Sequence, residues 1–278
     1  MLSINHGPGR TWVKTAVKLF WPLIIAGKRY SNMPVLKWLI YPFFMRPHNE
    51  LTCIPINIEV KSPDSVVLPR RVIERLLDEV DEIFIFDECI CRRNNKVDSP
   101  PQNIGCMALG PAVRRIHPSH GRTVNTDEAI RHVDRAASAG LVANVAHVWI
   151  DPVAFGTSFR NLMFICYCDD HNCLYRTYMK NRGPSLDGAY QRLPGISVFV
   201  DPKKCRGCGE CLDQCFLANI GLVDEKANIG ISCAGCGRCV ERCPNTAIAL
   251  SIDSEESLYS DLIKWIKGVS QLPINSLK

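Results

Sequence analysis

The chain has 278 residues, 46% apolar and 22% charged, a balance that excludes a disordered or low-complexity polymer. Its fifteen cysteines, in a long chain with no clean apolar leader ahead of a small-residue cleavage site, exclude a small secreted disulfide scaffold. The net charge of +5 excludes a nucleic-acid face spread over a domain, because residues 1–48 hold seven Lys or Arg and no acid and the rest is near neutral. A reducing, cytoplasmic setting is expected, with cysteines that hold metal.

Residues 1–50 read as a basic, aromatic arm. Trp12, Val13, Ala16, Val17, Phe20, Leu23 and Ile24 recur at helical spacing, with Lys14 and Lys18 between them. A second apolar stretch, 35–45, carries Trp38, Tyr41, Phe43 and Phe44. Neither spans a membrane: Lys28, Arg29 and Lys37 interrupt, and Pro22, Pro34 and Pro42 are expected to break it further. Interleaved cations and aromatics fit an amphipathic helix lying on an anionic membrane, peripheral on its cytoplasmic side, with Trp12, Trp21, Trp38 and Tyr41 at headgroup level. A partner subunit, or the protein's own core, is the competing surface.

Residues 51–195 read as a Cys-rich α/β (α+β) domain. Pro69 opens a helix through Val80, with Val72, Ile73, Leu76, Leu77 and Val80 on its apolar side. Ile83 to Phe86 reads as a buried strand that runs into Cys89-Ile90-Cys91. Thr126 is the expected N-cap of a helix that stops at Gly140. Leu162 to Ile165 reads as a strand leading into Cys166-Tyr167-Cys168, so both pairs of cysteines are expected where strands end, as ligands are in open sheets.

Cys89, Cys91, Cys106, Cys166, Cys168 and Cys173 are six thiols in this one domain. Neighbouring thiolates in C-x-C can chelate one metal. Four of the six would complete a third [4Fe-4S] cluster, with a structural zinc or a pocket of free thiols as alternatives. His117, His120 and His171 add nitrogen donors, while His132, His147 and Cys53 read as packing residues.

Residues 196–252 repeat a motif. Cys205, Cys208, Cys211 and Cys215 form C-x2-C-x2-C-x3-C, and Cys233, Cys236, Cys239 and Cys243 repeat it ahead of Pro244. Three thiolates two residues apart wrap a tight loop around one cuboidal cluster, and Gly207, Gly209, Gly235 and Gly237 let the backbone approach. The fourth cysteine is expected to begin a short helix pointing to the other cluster. One [4Fe-4S] cluster is thus assigned to Cys205, Cys208, Cys211 and Cys243, and a second to Cys233, Cys236, Cys239 and Cys215. Two zinc sites are the alternative, though four cysteines in eleven residues, twice, are far more specific. Arg206, Arg238 and Arg242 read as solvated charges, or as groups that tune potential.

This segment resembles the bacterial two-[4Fe-4S] ferredoxin fold, over about 55 residues. The resemblance implies low-potential, one-electron transfer. Relatives carry Pro after the fourth cysteine of both runs; here Phe216 follows Cys215. Residues 253–278 read as one amphipathic helix, with Asp253 and Glu256 as a capping box, Leu258, Leu262, Ile263, Trp265 and Ile266 on its apolar side, and Gly268 as its end.

Asp87-Glu88-Cys89-Ile90-Cys91-Arg92, Cys106-Met107-Ala108-Leu109-Gly110, Asp127-Glu128-Ala129 and Ile165-Cys166-Tyr167-Cys168 extend the likeness. Residues 54–250 resemble ferredoxin-like 4Fe-4S binding proteins of anaerobic bacteria and archaea, in which a Cys-rich α/β domain precedes a two-cluster ferredoxin domain. Many relatives have more thiols where this chain has Asp169, Asp170, His171 and Asn172. That family carries no reaction to transfer. The expectation is an electron carrier or redox-complex subunit with protein donor and acceptor. The rivals are a ferredoxin-fed reductase with a catalytic middle site and a basic wall of Arg92, Arg93, Arg114 and Arg115, and a structural subunit whose middle site is zinc or empty.

Overall fold

A computed structural model describes residues 5–31, 33–44, 46–61, 66–176, 179 and 184–275. The arm forms two helices, α1 (Arg10–Arg29) and α2 (Pro34–Phe44). Pro22 lies inside α1 without ending it, contrary to the expected break. Val13, Val17 and Trp21 recur every fourth residue, so they share one helix face. Val13 and Trp21 are buried, which takes Trp21 away from any headgroup level, while Trp12, Leu19, Phe20 and Leu23 are exposed. On α2, Val35, Trp38 and Leu39 are exposed; the side chains of Tyr41 and Pro42, and all of Met45, lie outside the described residues. No helix among the described residues is long and apolar enough to cross a membrane.

The middle of the chain supplies β1 (Asn49–Ile54), β2 (Val60–Lys61), β3 (Val66–Val67), α3 (Pro69–Glu79), β4 (Ile83–Phe86), α4 (Ile90–Asn94), β5 (Met107–Leu109), β6 (Gly121–Val124), α5 (Thr126–Ser138), β7 (Val142–Val148), α6 (Ile150–Phe155) and β8 (Met163–Cys168). Six strands form one sheet in the order β1-β7-β8-β5-β4-β6, and every neighbouring pair is antiparallel. The rule that places ligands at the carboxyl ends of a parallel sheet therefore has no purchase here. Strand alternation sorts the side chains instead. Ile83, Met107, Leu109, Val145, Met163, Ile165 and Tyr167 face one core, with α3 and α5. Phe84, Phe86, Ala108, Ala146, Phe164, Cys166 and Cys168 face the other, beneath α1.

Two local expectations shift. The N-cap of α5 is Asn125, whose Oδ1 accepts from the Glu128 amide at 2.9 Å, and Thr126 is the first helical residue. β8 does not stop before the cysteines but runs through them, since Cys166 and Cys168 pair with Asn144 and Val142 of β7.

The C-terminal part contains β9 (Ile196–Val200), α7 (Glu210–Gln214), β10 (Ile220–Val223), β11 (Lys226–Ile229), α8 (Arg238–Glu241), β12 (Ile248–Ile252) and α9 (Glu255–Val269). β9 pairs antiparallel with β12, and β10 with β11, so the two cysteine runs occupy equivalent places in a strand–loop–helix–strand repeat. The helix of each run holds the third cysteine, Cys211 or Cys239; the fourth, Cys215 or Cys243, follows the helix rather than beginning it. α9 is capped by Ser254, whose Oγ accepts from the Ser257 amide, one residue past the expected Asp253. It passes Gly268 and ends at Val269. Leu258, Leu262 and Ile266 are fully buried in the core that α9 shares with α3.

Candidate metal centres

The loops before α7 and α8 gather the eight cysteines of the repeat into two cavities. One is lined by Cys205, Cys208, Cys211 and Cys243. The other is lined by Cys215, Cys233, Cys236 and Cys239. Each thus takes three cysteines from one run and the last from the other. The chain can turn this tightly because Gly207, Gly209, Gly235 and Gly237 all have positive φ. At Gly207 (φ +67°) a Cβ would stand 2.3 Å from the Glu225 carbonyl oxygen, so a side chain has no room there.

Backbone amides point at the sulfurs. Asn219 donates to Cys215 Sγ at 3.2 Å, Ala227 to Cys205 Sγ at 3.3 Å and Ala247 to Cys243 Sγ at 3.3 Å. The amides of Ala227 and Gly207 hold the Cys205 thiol below its ordinary pKa, while burial pushes Cys211, Cys215 and Cys239 up. Hydrogen bonds to sulfur from the main chain stabilise thiolate and tune cluster potential. All-thiol donor sets of four, in apolar cavities with amide support, fit an iron–sulfur cluster. Among the described residues no three His, Cys, Asp or Glu side chains are arranged around a single metal ion.

The six middle thiols meet on the sheet face beneath α1. Cys166 and Cys168 share that face because they are two apart in a strand. Cys89 caps α4 and Cys91 lies in its first turn, and Cys106 immediately precedes β5. Sγ contacts link them in the order Cys166, Cys106, Cys89, Cys91, Cys173, Cys168. The final pair is 2.9 Å apart. Hydrogen bonds from Cys106 and Cys91 hold Cys89 below its ordinary pKa, whereas Cys91 and Cys106 are pushed up by their neighbours and by burial. Such a soft donor set has the chemistry of an iron–sulfur site, while no three of these thiols are arranged around a single metal ion such as zinc.

The candidate nitrogen donors do not join it. His120 Nε2 is bonded to the Pro8 carbonyl at 2.9 Å, His117 Nδ1 to Ser119 Oγ at 2.9 Å, and His171 is exposed. His132 and His147 are buried and bonded to the carbonyls of Gly105 and Phe159. The expected basic wall is absent too. Arg92 is buried, donating to the carbonyls of Tyr167 and Ile104; Arg93 pairs with Glu88, Arg114 pairs with Glu82, and Arg115 points to solvent.

Several residues that the sequence did not connect with the thiols frame them. Lys28 of α1 is buried, donates to the Leu174 carbonyl and sits close enough to Cys173 and Cys91 to feel their charge. Burial lowers its pKa to about 8. Below α1 lies a cavity of about 80 Å³, roofed by Val13, Val17 and Trp21 and floored by Cys91, Cys106 and Cys166. Asp151 lines it; Tyr175 donates to its Oδ1 at 2.8 Å, while the buried Oδ2 has no hydrogen-bond partner among the described residues. Burial raises the Asp151 pKa to about 7, against the Tyr175 bond. Cys53 is buried as expected, but its Sγ also donates to Asn144 Oδ1 at 3.0 Å. Arg206 and Arg242 are exposed; Arg238 is not a solvated charge but a buried one, paired with Asp170 at 2.8 Å and with Glu241.

A family model described as a 4Fe-4S dicluster domain matches residues 197–244, the segment that holds all eight cysteines of the repeat. No curated protein and no solved structure matches the chain. The match supports an iron–sulfur, ferredoxin-like segment within a chain of mixed helix and strand, and with it [4Fe-4S] binding and an electron-transfer role.

Proposed function

We propose that the chain carries low-potential single electrons through two [4Fe-4S] clusters, with a third centre in the middle domain, as part of a redox complex or docked to one. The observation that carries this reading is the division of eight cysteines into two sets of four, each lining its own cavity. Clusters bound there supply one-electron storage and transfer. The residues do the rest. Cys205, Cys208, Cys211 and Cys243 hold one, and Cys215, Cys233, Cys236 and Cys239 hold the other. Their amide donors favour thiolate, and Cys205, Cys211 and Cys239 are buried while Cys208 reaches the surface. Cys89, Cys91, Cys106, Cys166, Cys168 and Cys173 are the pool from which a third is held. The organisation is an arm (1–50), a Cys-rich domain (51–195), a two-cluster module (196–252) and a C-terminal helix (253–278). The likeness to proteins of anaerobes favours an oxygen-poor cytoplasm.

Anaerobic iron and sulfide analysis of the full chain tests this. About eight irons per chain are expected from the module alone, and about twelve with the third centre. Cys236→Ala should lose about four of them. Zinc in place of iron, or iron content unchanged in that variant, overturns the reading.

The cavity under α1 favours a second reading, in which the middle site is catalytic. Its walls are apolar, with one unpartnered carboxyl oxygen beside three thiols. That lining suits a small neutral molecule, not the anion that a basic wall would attract. A change in the electron-spin signal of the third centre on adding such a molecule favours it, and no change across neutral substrates argues for the carrier.

The outward faces of α1 and α2 fit an anionic lipid surface. Trp12, Leu19, Phe20, Leu23, Val35, Trp38 and Leu39 are exposed there beside Lys18, Arg29 and Lys37.

A further inference from the structure

Arg176 stands between the two thiol systems. Its amide donates to the Cys173 carbonyl, which ties it to the middle site. Its side chain is fully buried. Nη2 lies 3.7 Å from Cys236 Sγ and 2.5 Å from Asp170 Oδ1, and Nη1 lies 3.9 Å from Cys53 Sγ. The guanidinium carbon sits 3.9 Å from the centre of the Phe216 ring, and Phe216 is itself held edge-on by Tyr190. Phe216, the residue that replaces the usual proline after Cys215, is thus the platform on which this arginine rests.

Among the described residues, two buried guanidinium groups, those of Arg176 and Arg238, share one carboxylate, Asp170. Glu241, the other acid bonded to Arg238, is one-third exposed. The Nε–H of Arg176 is buried without a hydrogen-bond partner among the described residues, whereas Arg238 Nε lies 2.8 Å from Asp170 Oδ2. A buried guanidinium is costly unless its charge and donors are met. A thiolate-bound, anionic cluster at Cys236 would supply further negative charge. Beside the first cysteine set the cation is Lys226, which donates to the Cys205 carbonyl and acts on the Cys205 thiol through its charge, and Cys208 is exposed; among the described residues no buried arginine contacts a sulfur of that set.

We propose that Arg176 is a positioning residue that stabilises the reduced form of the cluster held by Cys215, Cys233, Cys236 and Cys239, and so sets its potential apart from that of the first cluster. This rests on the electron-transfer reading above. The step is one electron in, from an external reductant, with no proton moved. The cluster gains one negative charge, and the fixed guanidinium beside its thiolate offsets that charge in a low dielectric.

The test is a potentiometric titration of the full chain with dithionite, followed by electron-spin resonance. In Arg176→Gln one of the two module potentials should fall, making that cluster about tenfold harder to reduce at a fixed potential, while the other stays put. Arg176→Lys should restore most of the loss. Asp170→Asn, which removes the competing carboxylate, should shift the same potential upward. If Arg176→Gln keeps its iron and leaves both potentials unmoved, the inference fails. If that variant loses iron, Arg176→Lys and Asp170→Asn decide: both unmoved also overturns it. Absence of iron from the wild-type chain would instead remove the electron-transfer reading, a separate and recognisable failure.

Discussion

At the scale of single residues, the strongest constraints sit beside the thiols. Gly207→Ala forces a side chain onto a positive φ and toward the Glu225 carbonyl. Backbone strain of this kind costs about 1–3 kcal/mol, and the clash adds to it. The expected result is loss of iron from the first set with the second retained, read by iron analysis; full occupancy would show that the loop has slack. Asp151 gives a pH signature. Its pKa is about 7 in the fold against 3.8 unfolded, so the folded chain binds the extra proton between those values. Its stabilising contribution is full below about pH 4 and is lost as pH rises through about 7. Asp151→Asn should therefore gain thermal stability relative to wild type as pH rises from 4 to 8. A constant difference between the two melting curves would contradict the burial of this carboxyl. The cysteine runs were legible because spacing alone carries their chemistry. Arg176, Lys28 and Asp151 were not, because each matters through a neighbour more than twenty residues away.

Among the elements, periodicity located helices and strands better than their ends. Asp253 and Ser254 are both good caps, as are Asn125 and Thr126, and local sequence does not decide between adjacent candidates. The sequence pattern ends β8 too early because cysteines read as a site and not as a strand. In the fold they are both, since alternate strand positions deliver two thiols to one face. The sheet's direction was not legible: buried strands read alike in parallel and antiparallel sheets when both faces are covered. α9 binds the C-terminus to α3 through Leu258, Leu262 and Ile266. Leu262→Ala should cost about 2–5 kcal/mol in denaturant unfolding. A loss below about 1 kcal/mol would mean that α9 packs loosely and the cavity collapses.

Over the whole molecule, the basic arm proves to have two roles for two faces. Arg10 and Lys14 pair with Glu88, and Lys28 is buried, so much of the arm's charge is turned inward. Lys18, Arg29 and Lys37 remain outward with the exposed aromatics. Removing residues 1–48 would uncover the thiols as well as the outer surface, so substitution is the cleaner probe. Trp38→Ser with Leu39→Ser should weaken flotation of the full chain with anionic vesicles, and added salt should weaken the wild type. Equal flotation of variant and wild type would point to another partner for that face. The placement of α1 over Cys91, Cys106 and Cys166 also fixes an order of events during biosynthesis. α1 precedes in the chain every thiol that it covers, so it has little to close upon until residues up to Cys173 have been made. Metal delivered to those thiols has to arrive during that interval, or else wait for the helix to lift.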